Sequence, residues 1–432
     1  MALALAAGAL MPATAQEAYE PSEENLQSRE EFSQMKFGIF LHWGIYSTFA
    51  QGEWYLHNAN LDRNEYAKAA NAFYPHDFDA QQWVAAFKDA GAQYVTITSR
   101  HHDGFSMWKT DASPYNVVDA TPYGKDVLAQ LAQACHDQGM RLHFYYSHLD
   151  WTREDYPQGR TGHGTGRDAS KANWQSYFQF MNTQLTELLT RYGDIGCIWF
   201  DGWWNHDQDP VPFDWHLREQ YDLIHRLQPR CLVGNNHHMN VFAGEDIQIF
   251  EHDLPGENKM GFVDKAASIS RLPLETCQTM NNHWGYSVSD YNYKSTEQLI
   301  HLLIKASGMG ANMLLNVGPQ PDGNLPVAAL DRLKAMGQWL RANGETIYGT
   351  TAGDFKPTDS LAATRKDGKQ YIHVTDNSLA GQQIDIPVRS KVKSVTTLAT
   401  GDKIAFRQAR DFTLTLTVPA HEATVDYILV LQ

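Results

Sequence analysis

From residue 37 to about 319 the chain repeats one pattern: a short apolar run, a polar cluster, then a stretch with apolar residues at three-to-four spacing. The runs are Phe37 to Trp43, Tyr94 to Ser99, Leu142 to Tyr146, Ile195 to Phe200, Cys231 to Asn235, Ile247 to Glu251, Glu275 to Met280 and Asn312 to Val317. Runs of this length read as buried strands, and the segments Asp79 to Ala90, Asp126 to Gln138, Trp174 to Tyr192 and Asp214 to Leu227 between them read as amphipathic helices. Ser295-Thr-Glu-Gln298 opens a further helix as a capping box. Such alternation predicts a parallel sheet, and eight units predict a (β/α)₈-like TIM barrel, an α/β fold that needs about 250 residues. Each polar cluster then falls on the C-terminal rim, where barrel sites are built.

Asp331 to Asn343 reads as the last barrel helix. After Gly344 the period drops to two, in Tyr371 to Val374, Gln383 to Ile386, Val392 to Leu398, Phe412 to Val418 and Thr424 to Leu431, which predicts a small antiparallel β-sandwich. The expected organisation is a catalytic barrel over 17–344 and a C-terminal sandwich over 345–432. Residues 1–16 are small and apolar and end in Ala13-Thr14-Ala15-Gln16, a signal-peptidase pattern without the basic n-region. They read as a truncated signal-peptide remnant and predict an exported protein, periplasmic or secreted; a disordered Ala-rich leader is the bland alternative. No other run reaches the ~20 apolar residues of a membrane span.

Charge narrows the partners. A net charge of -15 argues against nucleic acid and anionic membranes, which need clustered Lys and Arg, while neutral glycans remain compatible. Aromatic residues make up 12% of the chain, and Trp and Tyr stack on the apolar faces of sugar rings. Cys135, Cys197, Cys231 and Cys277 lie far apart with no metal-ligand spacing and read as buried free thiols.

The strongest chemical signal is Ile198-Trp199-Phe200-Asp201-Gly202, a buried strand running straight into a carboxylate. An Asp in this place commonly caps a helix. The following Gly202-Trp203-Trp204 is no helical first turn, so Asp201 reads as catalytic, kept ionised by neighbours such as His42 or His102. A glycosidase needs a second carboxyl group, about 5 to 5.5 Å away in a retaining enzyme. Glu251, Glu257 and Glu275 are the candidates. His42, Glu53, Trp54, His101, His102 and Tyr145 gather on the same rim and suit a ring bearing several hydroxyls, since neutral imidazole both donates and accepts. A competing reading takes His42, His101, His102 and Asp201 as ligands of a metal-dependent hydrolase. Adjacent strand residues face opposite ways, which makes His101-His102 a poor chelate.

These stretches resemble the α-L-fucosidases of glycoside hydrolase family 29. The resemblance rests on Met35-Lys-Phe-Gly-Ile-Phe-Leu-His-Trp-Gly44, Gly52-Glu-Trp-Tyr55, Thr98-Ser-Arg-His-His-Asp-Gly-Phe105, Tyr145-Tyr-Ser147, Trp199-Phe-Asp-Gly202, His283-Trp-Gly-Tyr286 and Asn312-Met-Leu-Leu-Asn-Val-Gly-Pro319. It implies an exo-acting retaining enzyme that removes terminal α-L-fucose by double displacement, needs no cofactor or metal, and takes a fucosylated oligosaccharide or glycoconjugate. Asp201 falls on the family's nucleophile, and His42, Glu53, Trp54, His101, His102, Tyr145, Trp199 and Trp284 fall on positions lining the fucose pocket. Glu275, in Leu274-Glu-Thr-Cys277, resembles the acid/base position of many members and is preferred to Glu251, although Leu274 stands where a Trp is usual. A fucose-binding or inactive relative is the alternative from another class. The loops 150–171 and 203–213 are expected to meet the leaving group.

Overall fold

The computed structural model describes residues 19–264 and 267–432; the leader over residues 1–16 lies outside them. Eight parallel strands form the barrel: β1 (Phe37–Leu41), β2 (Tyr94–Arg100), β3 (Arg141–Ser147), β4 (Cys197–Asp201), β5 (Leu232–Asn235), β6 (Gln248–Glu251), β7 (Leu274–Thr279) and β8 (Ala311–Val317). Hydrogen-bonded neighbours run β5-β4-β3-β2-β1-β8-β7-β6. Between β5 and β6 the ladder thins to a single parallel bridge, Gly234 to Ile247, with the amides of Asp246 and Ile247 donating to the Val233 carbonyl. That bridge closes the barrel.

The helices form where polar side chains start them. Asp79, Asp126 and Asn173 accept from the first turns of helices Ala80–Asp89, Val127–Gln138 and Trp174–Arg191, and Ser295 with Gln298 completes the capping box of Thr296–Gly308. One expectation fails in part: among the described residues no helix follows β5 or β6, so six strands rather than eight carry helices. The β6–β7 connection is broken by Pro255, Gly256 and Gly261.

Two apolar layers result. Helices pack outside the strands, while Phe40, Tyr94, Tyr145, Trp199, Ile249, Cys277 and Leu314 fill the interior. The floor is plugged by helix Glu23–Met35, which the periodicity did not reveal. Its Phe32 inserts into the interior cluster, and the Asn312 amide donates to the Phe32 carbonyl at 2.7 Å. The four cysteines are free and buried. Helix Val327–Asn343 crosses Ala80–Asp89 so closely at Gly337 that a Cβ there would run into the Asp89 carbonyl. Gly337→Val is therefore expected to destabilise the fold by about 1–3 kcal/mol, read as a lower urea midpoint at unchanged m.

Past residue 350 a five-stranded and a three-stranded antiparallel sheet share one core, with Ile372, Val374 and Leu429 from the first meeting Ile386, Leu414 and Leu416 from the second. Strand Leu361–Lys366 packs against helix Thr296–Gly308 on the side of the barrel, away from its mouth.

Candidate active site

Asp201 ends β4 opposite Ser147, the last residue of β3. Gly202 then turns the chain at φ +95°, where a Cβ would crowd the Leu149 backbone. This turn brings the Gly202 amide (2.7 Å) and the Trp204 indole (2.9 Å) onto Asp201 Oδ1. The Tyr145 hydroxyl donates to Oδ2 at 2.9 Å, and Asn236 Nδ2 lies 3.4 Å from Oδ1. Burial raises the Asp201 pKa above its ordinary value, and these four donors oppose the rise by favouring the carboxylate.

His42 and His102 do not hold Asp201 ionised, contrary to expectation. The Ser147 hydroxyl donates to the Leu149 carbonyl, so it accepts from His102 Nδ1, 2.7 Å away. His102 Nε2, 3.5 Å from Asp201 Oδ2, is thus an acceptor and does not hold the carboxylate ionised. His42 Nδ1 likewise gives its proton to Asn316 Oδ1 at 2.7 Å. Burial lowers the pKa of His42, to about 3, and drives those of His101 and His102 well below the ordinary range, so all three rings are neutral. His42 and His102 keep an acceptor nitrogen for a hydroxylated ligand. His101 and His102 lie past the end of β2, where the alternation of strand faces no longer separates them, and their rings stand 4.1 Å apart in one cavity.

That cavity, about 560 Å³, is lined by His42, Trp54, His101, His102, Tyr145, Trp199, Asp201 and Trp284. Glu53 is not among its walls: its carboxylate accepts from the Gly285 amide at 2.7 Å and braces the loop that carries Trp284. Phe40, Asn236, His238 and Phe262, which the sequence did not single out, also line it, together with Arg160 and Trp204 from the loops expected to meet the leaving group. Asn236 and His238 had a usable signal, a polar run ending the fifth strand. Among the described residues no set of three or more His, Cys, Asp or Glu side chains converges as metal ligands.

The second carboxyl group is where the geometry departs from expectation. Glu275 is the second residue of β7, level with Ile249 and Asn312, whereas Glu251 ends β6 level with Cys277. Glu275 therefore sits two residues below Glu251, roughly 6–7 Å deeper. It is 1% exposed and does not line the cavity. Both its oxygens are taken, Oε1 by the Trp199 indole at 2.8 Å and Oε2 by the Tyr94 hydroxyl at 2.7 Å. The geometry thus does not support the preference for Glu275 as acid/base. Glu251 lines the cavity and accepts from Asn236 Nδ2 at 2.8 Å, the same nitrogen that faces Asp201. One oxygen of each carboxyl group therefore lies within reach of a single amide nitrogen. Burial, then the Asp201 charge, pushes the Glu251 pKa up to about 7.

One donor to Asp201 is open to a clean test. Tyr145→Phe keeps the ring and deletes the hydroxyl, and is expected to cost roughly 10- to 100-fold in kcat/KM. The acid limb of the pH profile should move to higher pH, because a bond that lowers the Asp201 pKa is gone.

Two carboxyl groups sharing one amide donor at the mouth of a parallel barrel, among aromatic rings and neutral imidazoles, are the arrangement of a glycoside hydrolase. The family model described as "Alpha-L-fucosidase" matches residues 7–345. The chain belongs to the α-L-fucosidase family, glycoside hydrolases that release terminal α-L-fucose. It is 28% identical over 407 residues to an α-L-fucosidase of Branchiostoma floridae, covering 86% of this chain and 83% of that one. It is 26% identical over 441 residues to the tissue α-L-fucosidase of Homo sapiens, covering 93% and 88%. Among solved structures, α-L-fucosidase isoenzyme 1 of Paenibacillus thiaminolyticus superposes with a TM-score of 0.82 at 31% identity, covering 95% of this chain and 99% of that one. A family 29 α-L-fucosidase of Bacteroides thetaiotaomicron, solved as a trapped covalent intermediate with 2-fluoro-fucosyl fluoride, superposes at 0.80 with 25% identity, covering 96% and 97%.

Proposed function

We propose that Asp201 attacks the anomeric carbon of α-L-fucose while the protonated Glu251 carboxyl gives its proton to the departing oxygen. Glu251 then takes a proton from water, whose oxygen attacks the fucosyl–Asp201 ester and releases fucose with retained configuration. The observation carrying this reading is Asn236 Nδ2, which reaches both carboxyl groups at once. His42 and His102 accept from sugar hydroxyls through their free nitrogens, and Trp284 and Phe40 supply the apolar wall for the deoxy carbon. The same residues serve an exo-acting enzyme, because the barrel floor closes behind them. The experiment is hydrolysis of p-nitrophenyl α-L-fucoside followed by NMR from the first turnover. First-formed β-fucose would overturn the retaining assignment. Activity is expected to persist in EDTA, and its loss with recovery on adding a divalent metal would revive the metal reading.

The leaving-group side faces the loops that carry Arg160, Asp207 and Gln208, together with Met239 and Phe262. Arg160 pairs with Asp207 at 3.1 Å and lies over the Trp204 ring. This polar and aromatic rim supports a fucosylated oligosaccharide or glycoconjugate as substrate. Arg160→Ala is expected to raise KM for fucosyl disaccharides more than for the aryl fucoside; equal effects on both would remove the rim from recognition. The Ala13-Thr14-Ala15 segment supports export, and mass spectrometry of exported protein beginning at Gln16 would test it.

A further inference from the structure

We infer that Glu275 is a positioning residue for the nucleophile, acting through the Trp199 indole. It stands in the barrel layer beneath the catalytic pair, and its carboxyl is a two-sided clamp with Trp199 Nε1 on one oxygen and the Tyr94 hydroxyl on the other. Trp199 forms the cavity floor and stacks on Tyr145, with ring centroids 5.6 Å apart and planes 24° from parallel. Tyr145 in turn carries the hydroxyl that donates to Asp201 Oδ2 at 2.9 Å. A continuous path of contacts therefore runs from Glu275 through two stacked rings to the nucleophile.

The far side of the clamp is built with equal care. Gly38 on β1 has no side chain because the Tyr94 ring occupies the place a Cβ would take. Phe32 and His143 pack on that ring, at 5.3 and 4.8 Å between centroids. The Tyr94 hydroxyl is thus fixed from several sides, and Glu275 transfers that fixity to Trp199. Loss of the carboxyl would leave a buried indole N–H unpaired in an apolar layer, and the ring would tilt or shift to find a partner. A tilt in Trp199 alters both the sugar floor and the hydrogen bond that Tyr145 makes.

This role rests on Asp201 and Glu251 as the catalytic pair, and it predicts behaviour that acid/base chemistry at Glu275 does not. Glu275→Gln keeps an acceptor for Trp199 and a polar group for Tyr94, and it should retain kcat/KM within about 5-fold. Its alkaline pH limb should remain. Glu275→Ala should lose about 10- to 100-fold in kcat/KM, by the same factor for p-nitrophenyl fucoside and for a fucosyl disaccharide. In a Trp199→Phe background, which has no indole N–H to hold, the same Glu275→Ala change should cost less than about 3-fold. Should Glu275→Ala fail to fold, Glu275→Met, which fills the volume without a strong acceptor, takes its place in the cycle. Full additivity of the two substitutions would overturn action through Trp199. A disaccharide-selective loss in Glu275→Gln, with azide yielding α-fucosyl azide, would instead return the acid/base role to Glu275. Both outcomes are independent of whether Asp201 proves to be the nucleophile, which is read from its own variant.

Discussion

Asp201→Gly is expected to lower kcat for an aryl α-L-fucoside by roughly 10⁴-fold or more, since no covalent intermediate can form without the nucleophile. The variant leaves a space beside donors already aimed at it, the Trp204 indole and the Tyr145 hydroxyl. Azide fits there and should restore turnover, giving β-fucosyl azide of inverted configuration. The measurement is the NMR coupling at the anomeric carbon of the azide product. Near-normal hydrolysis by this variant without azide would end the assignment.

Glu251→Ala should give the second large effect and a different signature. General acid catalysis contributes roughly 10²- to 10⁴-fold, and it matters most when the leaving alkoxide is basic. Hydrolysis of a fucosyl disaccharide should fall by that factor, while defucosylation of Asp201 in the presence of azide gives the retained α-fucosyl azide. Formation of the intermediate from an activated aryl fucoside should be spared. The pH profile carries the same information. The folded-state pKa of Glu251 lies near 7, above its ordinary 4.5, so the general acid is protonated below about 7 and wild-type activity falls as pH rises through that value. Glu251→Gln should lose this limb. Stability moves the same way: a carboxyl whose pKa is raised by folding holds its proton more tightly in the native state, so its contribution declines between about 4.5 and about 7 as pH rises.

Asp201 was legible in the sequence because an apolar run that stops at a carboxylate marks a strand end without needing its starting point. Glu251 and Glu275 show what that rule cannot resolve. Glu251 also ends its run and sits on the rim, but Glu275 opens its run, and height in the barrel depends on where β7 begins. The strand starts at Leu274, paired with Gln248 and Ala311, and this places Glu275 a layer down. Pairing register of that kind is set by neighbouring strands that local pattern does not specify. The helix Glu23–Met35 was illegible for a related reason. Its sequence is polar apart from a few residues, and its role rests on Phe32 meeting a barrel floor assembled from distant strands. Asn236 was signalled only as part of a polar run ending β5, and its reach to two carboxyl groups on different strands is set by tertiary position.

The thin ladder between β5 and β6 gives the enzyme a division of labour. Asp201 is carried by a strand paired to both neighbours, so the proposed nucleophile belongs to a continuous wall. Glu251 lies on the other side of the joint, on a four-residue strand flanked by two connections that hold no helix among the described residues. Those connections also bring His238 and Phe262 to the cavity. The proposed proton donor and the surface facing the leaving group are therefore carried together on one side of the joint, linked to Asp201 by the Asn236 amide. Such an arrangement lets the half that reads the aglycone be rebuilt while the half that reads fucose stays as it is.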